Sequence, residues 1–211
     1  MKGTKDKILD ILKREQKLAV SELAKLLHMT EMGVRKHLST LEDDGLIHVE
    51  NVRKPVGRPV QFFSLTEKAE ASFPKNYKYI AVQFLKDIEQ LYGEESVNRL
   101  FENRKGRLYQ VYHPSIGREK SDEDKAEALA RLQNERGYMC RLNRVGDGVF
   151  ELIEYNCPIL AVANQYKLAC AHETDLMKSA LGAEHVDRIM CRADGDAHCQ
   201  FLIKLNKGGR Q

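Results

Sequence analysis

The chain has 211 residues, 42% of them hydrophobic and 31% charged, a length that suits two domains and a composition that excludes a disordered or fibrous protein. No apolar run approaches the eighteen or so residues a membrane span needs. The opening Met-Lys-Gly-Thr-Lys-Asp-Lys carries no apolar signal region, so a cytoplasmic protein without a membrane partner is expected. The net charge of +3 is unevenly placed: through Lys75 there are 14 Lys and Arg against 11 Asp and Glu, leaving 34−14 and 31−11, or 20 of each sign, for the remainder. The excess therefore sits in the first third, where a surface meeting phosphates would need it.

Ile8, Leu9, Ile11 and Leu12 recur at helical spacing and predict a helix over residues 4–15, with Thr4 placed to cap it. A second helix is expected from Ser21, whose hydroxyl can cap it, with Leu23, Leu26 and Leu27 inward and His28-Met29 at its end. Thr30 suits the N-cap of a third helix running from Glu31 to about Asp44. Its inner face is Val34, Leu38 and Leu41, and Gly45 is the natural residue just past its end. The period then becomes strand-like. Residues 46–52 and 60–66 predict a hairpin around a loop that contains Arg53, Lys54 and Arg58, two prolines and no acid. Cations held by prolines suit a wing laid along a DNA backbone or minor groove.

The run from Ser21 to Ala24, the run from Val34 to Ile47, Gly57-Arg58-Pro59 and Ser64-Leu65-Thr66 together resemble the winged helix-turn-helix of bacterial regulators of the broad ArsR/DeoR-like group. The resemblance covers about a third of the chain. It implies that the third helix enters the major groove of double-stranded operator DNA, with Thr30, Glu31, Met32, Arg35, Lys36 and Ser39 near base edges and phosphates, and Arg53, Lys54 and Arg58 on the wing.

Residues 67–76, with Phe73-Pro74, read as a connection. Tyr77 to Tyr92 is a broadly apolar helix interrupted at Gly93, and a further helical stretch runs from Glu94 to about Arg104. These helices could pack within one chain or form the seam of a homodimer, the favoured reading because winged-helix regulators commonly read two half-sites with two subunits. Ser121 to Arg136 is a charged helix with a capping serine and an acidic first turn.

From Tyr138 the chain alternates into a hairpin that turns at Gly146-Asp147-Gly148. Helical stretches follow from Ile159 to Leu168 and from about Cys170 to Leu181, then strands over 186–192 and 199–205. The expected fold is α+β: a winged helix-turn-helix over residues 1–72, a helical and dimerising region over 73–137, and a small cysteine-bearing sensor domain over 138–211.

All five cysteines fall after residue 139. A reducing compartment disfavours a disulfide framework, so this segregation suggests a local purpose. Cys157, Cys170, Cys191 and Cys199 contain no CxxC pair, and their spacing alone leaves thiolate metal binding and buried thiols equally open. Cys140 lies outside the pattern and reads as core filling. Asn156-Cys157-Pro158, Cys170 with His172-Glu173, Leu181-Gly182 and Gly195-Asp196 followed by Cys199 and Phe201 resemble the C-terminal domain of SufR-type repressors of iron–sulfur cluster assembly.

That resemblance implies a homodimeric repressor whose bound cluster, of the [4Fe–4S] type, tunes operator affinity. Cys157, Cys170 and Cys199 carry over as ligands. For the fourth position Cys191 is favoured over His172, Glu173 and His185. Zinc on the same thiolates, a thiol–disulfide switch and a small apolar ligand in the C-terminal domain are the alternatives. No nucleophile elbow, P-loop or paired-histidine metalloprotease motif occurs, and the expectation is a regulator rather than an enzyme.

Overall fold

The computed structural model describes residues 3–53, 55 and 59–206. The chain forms two compact units, Met1–Lys75 and Asn76–Gln211. The boundary falls after the short helix that follows the first hairpin, and the middle helices belong to the second unit.

The first unit runs α1 (Thr4–Glu15), β1 (Lys17–Ala19), α2 (Val20–Leu27), α3 (Glu31–Asp43), β2 (Ile47–Val52), β3 (Val60–Leu65) and α4 (Glu67–Ser72). Its antiparallel sheet has the order β1-β3-β2, with Leu18 and Val49 both opposite Phe63. Ile8, Leu12, Leu23, Val34, Leu38 and Leu41 from the three longer helices close over Ile47 and Phe63. Each such side chain contributes about 1.5–3 kcal/mol by leaving water. Two caps differ from expectation. Gly3, not Thr4, is the N-cap of α1, because the Asp6 carboxylate accepts the Gly3 N–H at 3.0 Å. Likewise α2 begins a residue before Ser21, since Glu22 accepts the Ala19 N–H at 2.7 Å. Gly45, at φ +67°, does turn the chain out of α3.

The second unit begins with α5 (Tyr77–Tyr92), α6 (Glu94–Ile116) and α7 (Asp122–Glu135). Then come β4 (Cys140–Gly146), β5 (Val149–Glu154), α8 (Leu160–Ala163), α9 (Leu168–Leu181), β6 (His185–Met190), a single 3₁₀ turn (Arg192–Asp194) and β7 (Cys199–Lys204). The sheet is antiparallel throughout, in the order β4-β5-β7-β6. Helices α6, α7 and α9 supply the other half of the core, where Tyr112, Leu129, Leu176 and Met177 meet Phe150, Leu152, Phe201 and Ile203. A smaller apolar cluster joins Val97 and Phe101 of α6 to Tyr166 and Ala169.

Helix α6 runs well past Arg104. Buried Tyr112 and Ile116, four residues apart, extend its inward face, and Pro114, which has no N–H to give the ladder, falls in the last turn. The expected helix over 159–168 is instead the single turn of α8 followed by a bend. Tyr166 turns inward there, and its hydroxyl donates to Glu89 at 2.8 Å.

Candidate functional sites: a DNA-reading face and a cysteine cluster

Thr30 caps α3, its hydroxyl accepting the Gly33 N–H at 3.2 Å. Beyond that cap Glu31, Met32, Arg35, Lys36 and Ser39 all stand exposed, while Val34, Leu38 and Leu41 anchor the opposite side. Helical periodicity thus separates a reading face from a packing face. The Arg35 guanidinium donates to the Gln61 side-chain carbonyl at 3.1 Å. Gln61 and its cross-strand partner Asn51 lie two residues from Phe63 and Val49, on the sheet face that meets α3. Together with Ser21, Glu31 and Arg35 they line a polar groove of about 690 Å³. Sequence reasoning missed Asn51 and Gln61; the available signal was a polar residue in an inward register of each strand. Arg53 is exposed at the end of β2, whereas Lys54 and Arg58 lie outside the described residues.

In the second unit three strand ends meet. β5 ends at Glu154, β7 begins opposite it at Cys199, and Met190, the last residue of β6, pairs with Gln200. Antiparallel topology therefore gathers Cys157, three residues past β5, Cys191, one residue past β6, and Cys199 at a single end of the sheet. The first turn of α9 adds Cys170, whose sulfur lies 3.9 Å from that of Cys191. A charge on Cys191 raises the thiols of Cys157, Cys170 and Cys199, so Cys191 lies within electrostatic reach of the other three. Burial is the larger cause in each case. It pushes Cys170 up to about 12 and Cys199 to about 11, and Cys157 upward as well.

Donors partly offset that burial. The Arg192 N–H points at the Cys199 sulfur at 3.4 Å, the Ile159 N–H bonds to Cys157, and the Arg188 guanidinium, which lowers the Cys170 thiol, donates to the Cys170 carbonyl at 2.6 Å. A neutral thiol needs few such donors. A thiolate, free or metal-bound, would use them. Among the described residues, no three His, Cys, Asp or Glu side chains are drawn tightly enough together to hold one ion.

The competing ligands are engaged elsewhere. The His172 ring stacks on Phe101 and its Nε2 lies 3.0 Å from the Asn98 side-chain oxygen, while Glu173 pairs with Arg104. His185 opens β6 at the opposite end of the sheet, exposed and beside Glu184 at 3.5 Å. Cys140, half-buried in β4, packs against the main core.

The first unit is a winged helix-turn-helix DNA-binding domain, the kind of module by which transcription regulators hold their operators. Residues 1–48 match the family model described as winged helix-turn-helix DNA-binding. No curated protein sequence matches the chain. Among solved structures, the phenol-responsive sensory domain of the transcription activator PoxR, with phenol, is similar at 16% identity and a TM-score of 0.42, over 61% of this chain and 74% of that one. The adhesin competence repressor AdcR of Streptococcus pyogenes follows at 20% identity and a TM-score of 0.31, over 53% of this chain and 82% of that one. Bacillus subtilis PadR, in complex with operator DNA, matches at 12% identity and a TM-score of 0.30, over 84% and 96%. Likenesses this distant assign no ligand to this chain. Among the described residues, no helix is long and apolar enough to cross a membrane.

Arg35→Ala is expected to weaken binding to a duplex selected by the wild-type protein by about 1–3 kcal/mol and to relax base preference at one position. Fluorescence anisotropy against single-base variants of that duplex checks it, and equal affinity for every variant in both proteins would count against base reading by α3.

Proposed function

We propose that the chain is a homodimeric transcription regulator that senses an iron–sulfur cluster of the [4Fe–4S] type, held by Cys157, Cys170, Cys191 and Cys199, and represses genes of cluster assembly. The observation that carries this reading is the gathering of four cysteine-bearing segments at one end of the sheet, with the Cys170 and Cys191 sulfurs 3.9 Å apart, downstream of a DNA-binding domain. The likeness of their setting to SufR-type repressors supports iron and sulfide as the occupant. When bound, the cluster would supply a centre whose loss or oxidation changes the charge and spacing of its four thiolates. The chain's own residues set the response: Arg188 and the N–H groups of Arg192 and Ile159 stabilise thiolate sulfur, and Asp196 fixes the turn by accepting the Cys191 N–H at 2.7 Å. Such a centre can alter operator affinity only by binding one arrangement of the dimer better than another.

The dimer reading is supported by α5. It buries no residue, yet it exposes Tyr77, Ile80, Phe84 and Leu91 along one side, an apolar stripe that a second copy would cover.

Anaerobic purification with iron, sulfide and zinc analysis tests the assignment. The wild type is expected to be brown with stoichiometric iron and sulfide, and Cys191→Ser to lose most of both while still binding DNA. A colourless protein carrying zinc would favour a second reading, for which one distance speaks. The 3.9 Å between the Cys170 and Cys191 sulfurs is close to the edge, about 3.8 Å, of a tetrahedron built on Zn–S bonds of about 2.3 Å.

A further inference from the structure

Away from the cysteines, α5, α6 and the α8 turn line an open cavity of about 390 Å³, with the exposed Phe84 and Leu100 at its mouth, that neither DNA binding nor the metal reading uses. Phe101 in its wall is buried, Leu85, Ile159 and Val162 are half-buried, and Asn103 and Arg107 stand exposed at its rim. The two arginines that line it differ. Arg104 spends its charge on buried Glu173, whereas Arg107, three residues on and so on the same side of α6, has no acid partner among the described residues. Apolar walls with one uncompensated guanidinium at the mouth form a site with two demands. An apolar body gains by leaving water against the walls, and an anionic group gains a forked, charge-assisted pair of hydrogen bonds at the rim. A neutral hydrocarbon meets only the first, and an amine opposes the second.

We propose that this cavity binds a small amphipathic monocarboxylate. Its hydrocarbon body lies among Leu85, Phe101, Ile159 and Val162, and its carboxylate sits on Arg107 with the Asn103 amide as a further donor. Arginine suits this role because its planar fork matches the two carboxylate oxygens. The site stands whether the cysteines hold a cluster, zinc or neither. Its walls nevertheless touch the same chain segments: Ile159 lies two residues past Cys157, and the partner of Arg104 lies three past Cys170.

Calorimetric titration of the full-length protein with octanoate, octanol and octylamine, all below micelle-forming concentrations, tests it. Octanoate is expected to saturate one site per chain and octanol to bind at least tenfold more weakly. Octylamine should bind least of all. Arg107→Gln, a surface change that spares the core, should weaken octanoate about tenfold and leave octanol unchanged. Val162→Trp, with its fold checked by thermal melting, should abolish both by filling the cavity. Equal octanoate affinity in wild type and Arg107→Gln overturns the proposal. So does the lack of saturable octanoate binding, the result expected if a second copy's side chains fill the cavity instead.

Discussion

Phe201→Ala is expected to destabilise the second unit by about 3–5 kcal/mol, the range for removing a buried aromatic ring from a core that cannot collapse around the gap. The ring is 1% exposed on β7, between Leu152 of β5 and Arg188 of β6 in the sheet register. The Arg188 guanidinium lies 5.0 Å from the ring centroid, a cation–π contact, and donates to the Cys170 carbonyl. The ring therefore helps to hold an arginine that in turn holds a cysteine-bearing segment. Two effects should appear together: a lowered urea midpoint and a faster reaction of Cys170 with a thiol reagent in metal-free protein. Phe201→Leu, which keeps most of the volume, should cost less than about 1.5 kcal/mol. A loss below about 1 kcal/mol for the alanine variant would show that the ring is not a packed element of this core.

The first unit was legible because its signals are local. Thr30 caps α3, Gly45 ends it, and the change from helical spacing to alternation at Leu46 marks the hairpin. Part of what escaped there was non-local. The three residues of β1 become a strand only by pairing with β3. The signal for α4 was local, Thr66 accepting the Ala69 N–H at 3.2 Å, and it was masked by the Phe-Pro that read as a connector.

In the second unit the elements were legible and their junctions were not. The true length of α6 depends on Tyr112, whose hydroxyl donates to Gln133 of α7 at 2.6 Å, twenty-one residues away. The break between α8 and α9 depends on Tyr166 reaching Glu89, seventy-seven residues away. The cysteine spacing carried no motif for the same reason. Its residues are brought together by an antiparallel crossing of strands, and only the pairing of β7 with both β5 and β6 shows that Cys157, Cys191 and Cys199 leave the sheet at one end.

Stability should fall as pH rises from about 5 to 8, and Glu154→Gln should remove much of that fall. Glu154 ends β5 with 3% exposure, and burial pushes its carboxyl up to about 8. The charge of Glu173 pushes the same way, while the Gln133 hydrogen bond and the Arg188 charge oppose it without prevailing. The folded chain thus keeps a proton that the unfolded chain releases near its ordinary value of 4.5. Whenever the folded state binds more protons, unfolding becomes easier as pH rises. This contribution is fully present below about pH 4.5 and is lost as pH passes through about 8. Gln at 154 keeps an acceptor for the Gln133 amide, which donates to Glu154 at 2.9 Å, and so keeps the chain of hydrogen bonds running back through Gln133 to Tyr112. The two proteins should therefore be nearly equal at pH 5, and the variant more stable at pH 8.5 by on the order of a few kcal/mol. Urea titrations at half-unit pH steps read the difference directly. Identical slopes in the two proteins would place the buried proton elsewhere in the unit and leave Glu154 ionised, with the Arg188 charge outweighing the cost of burial.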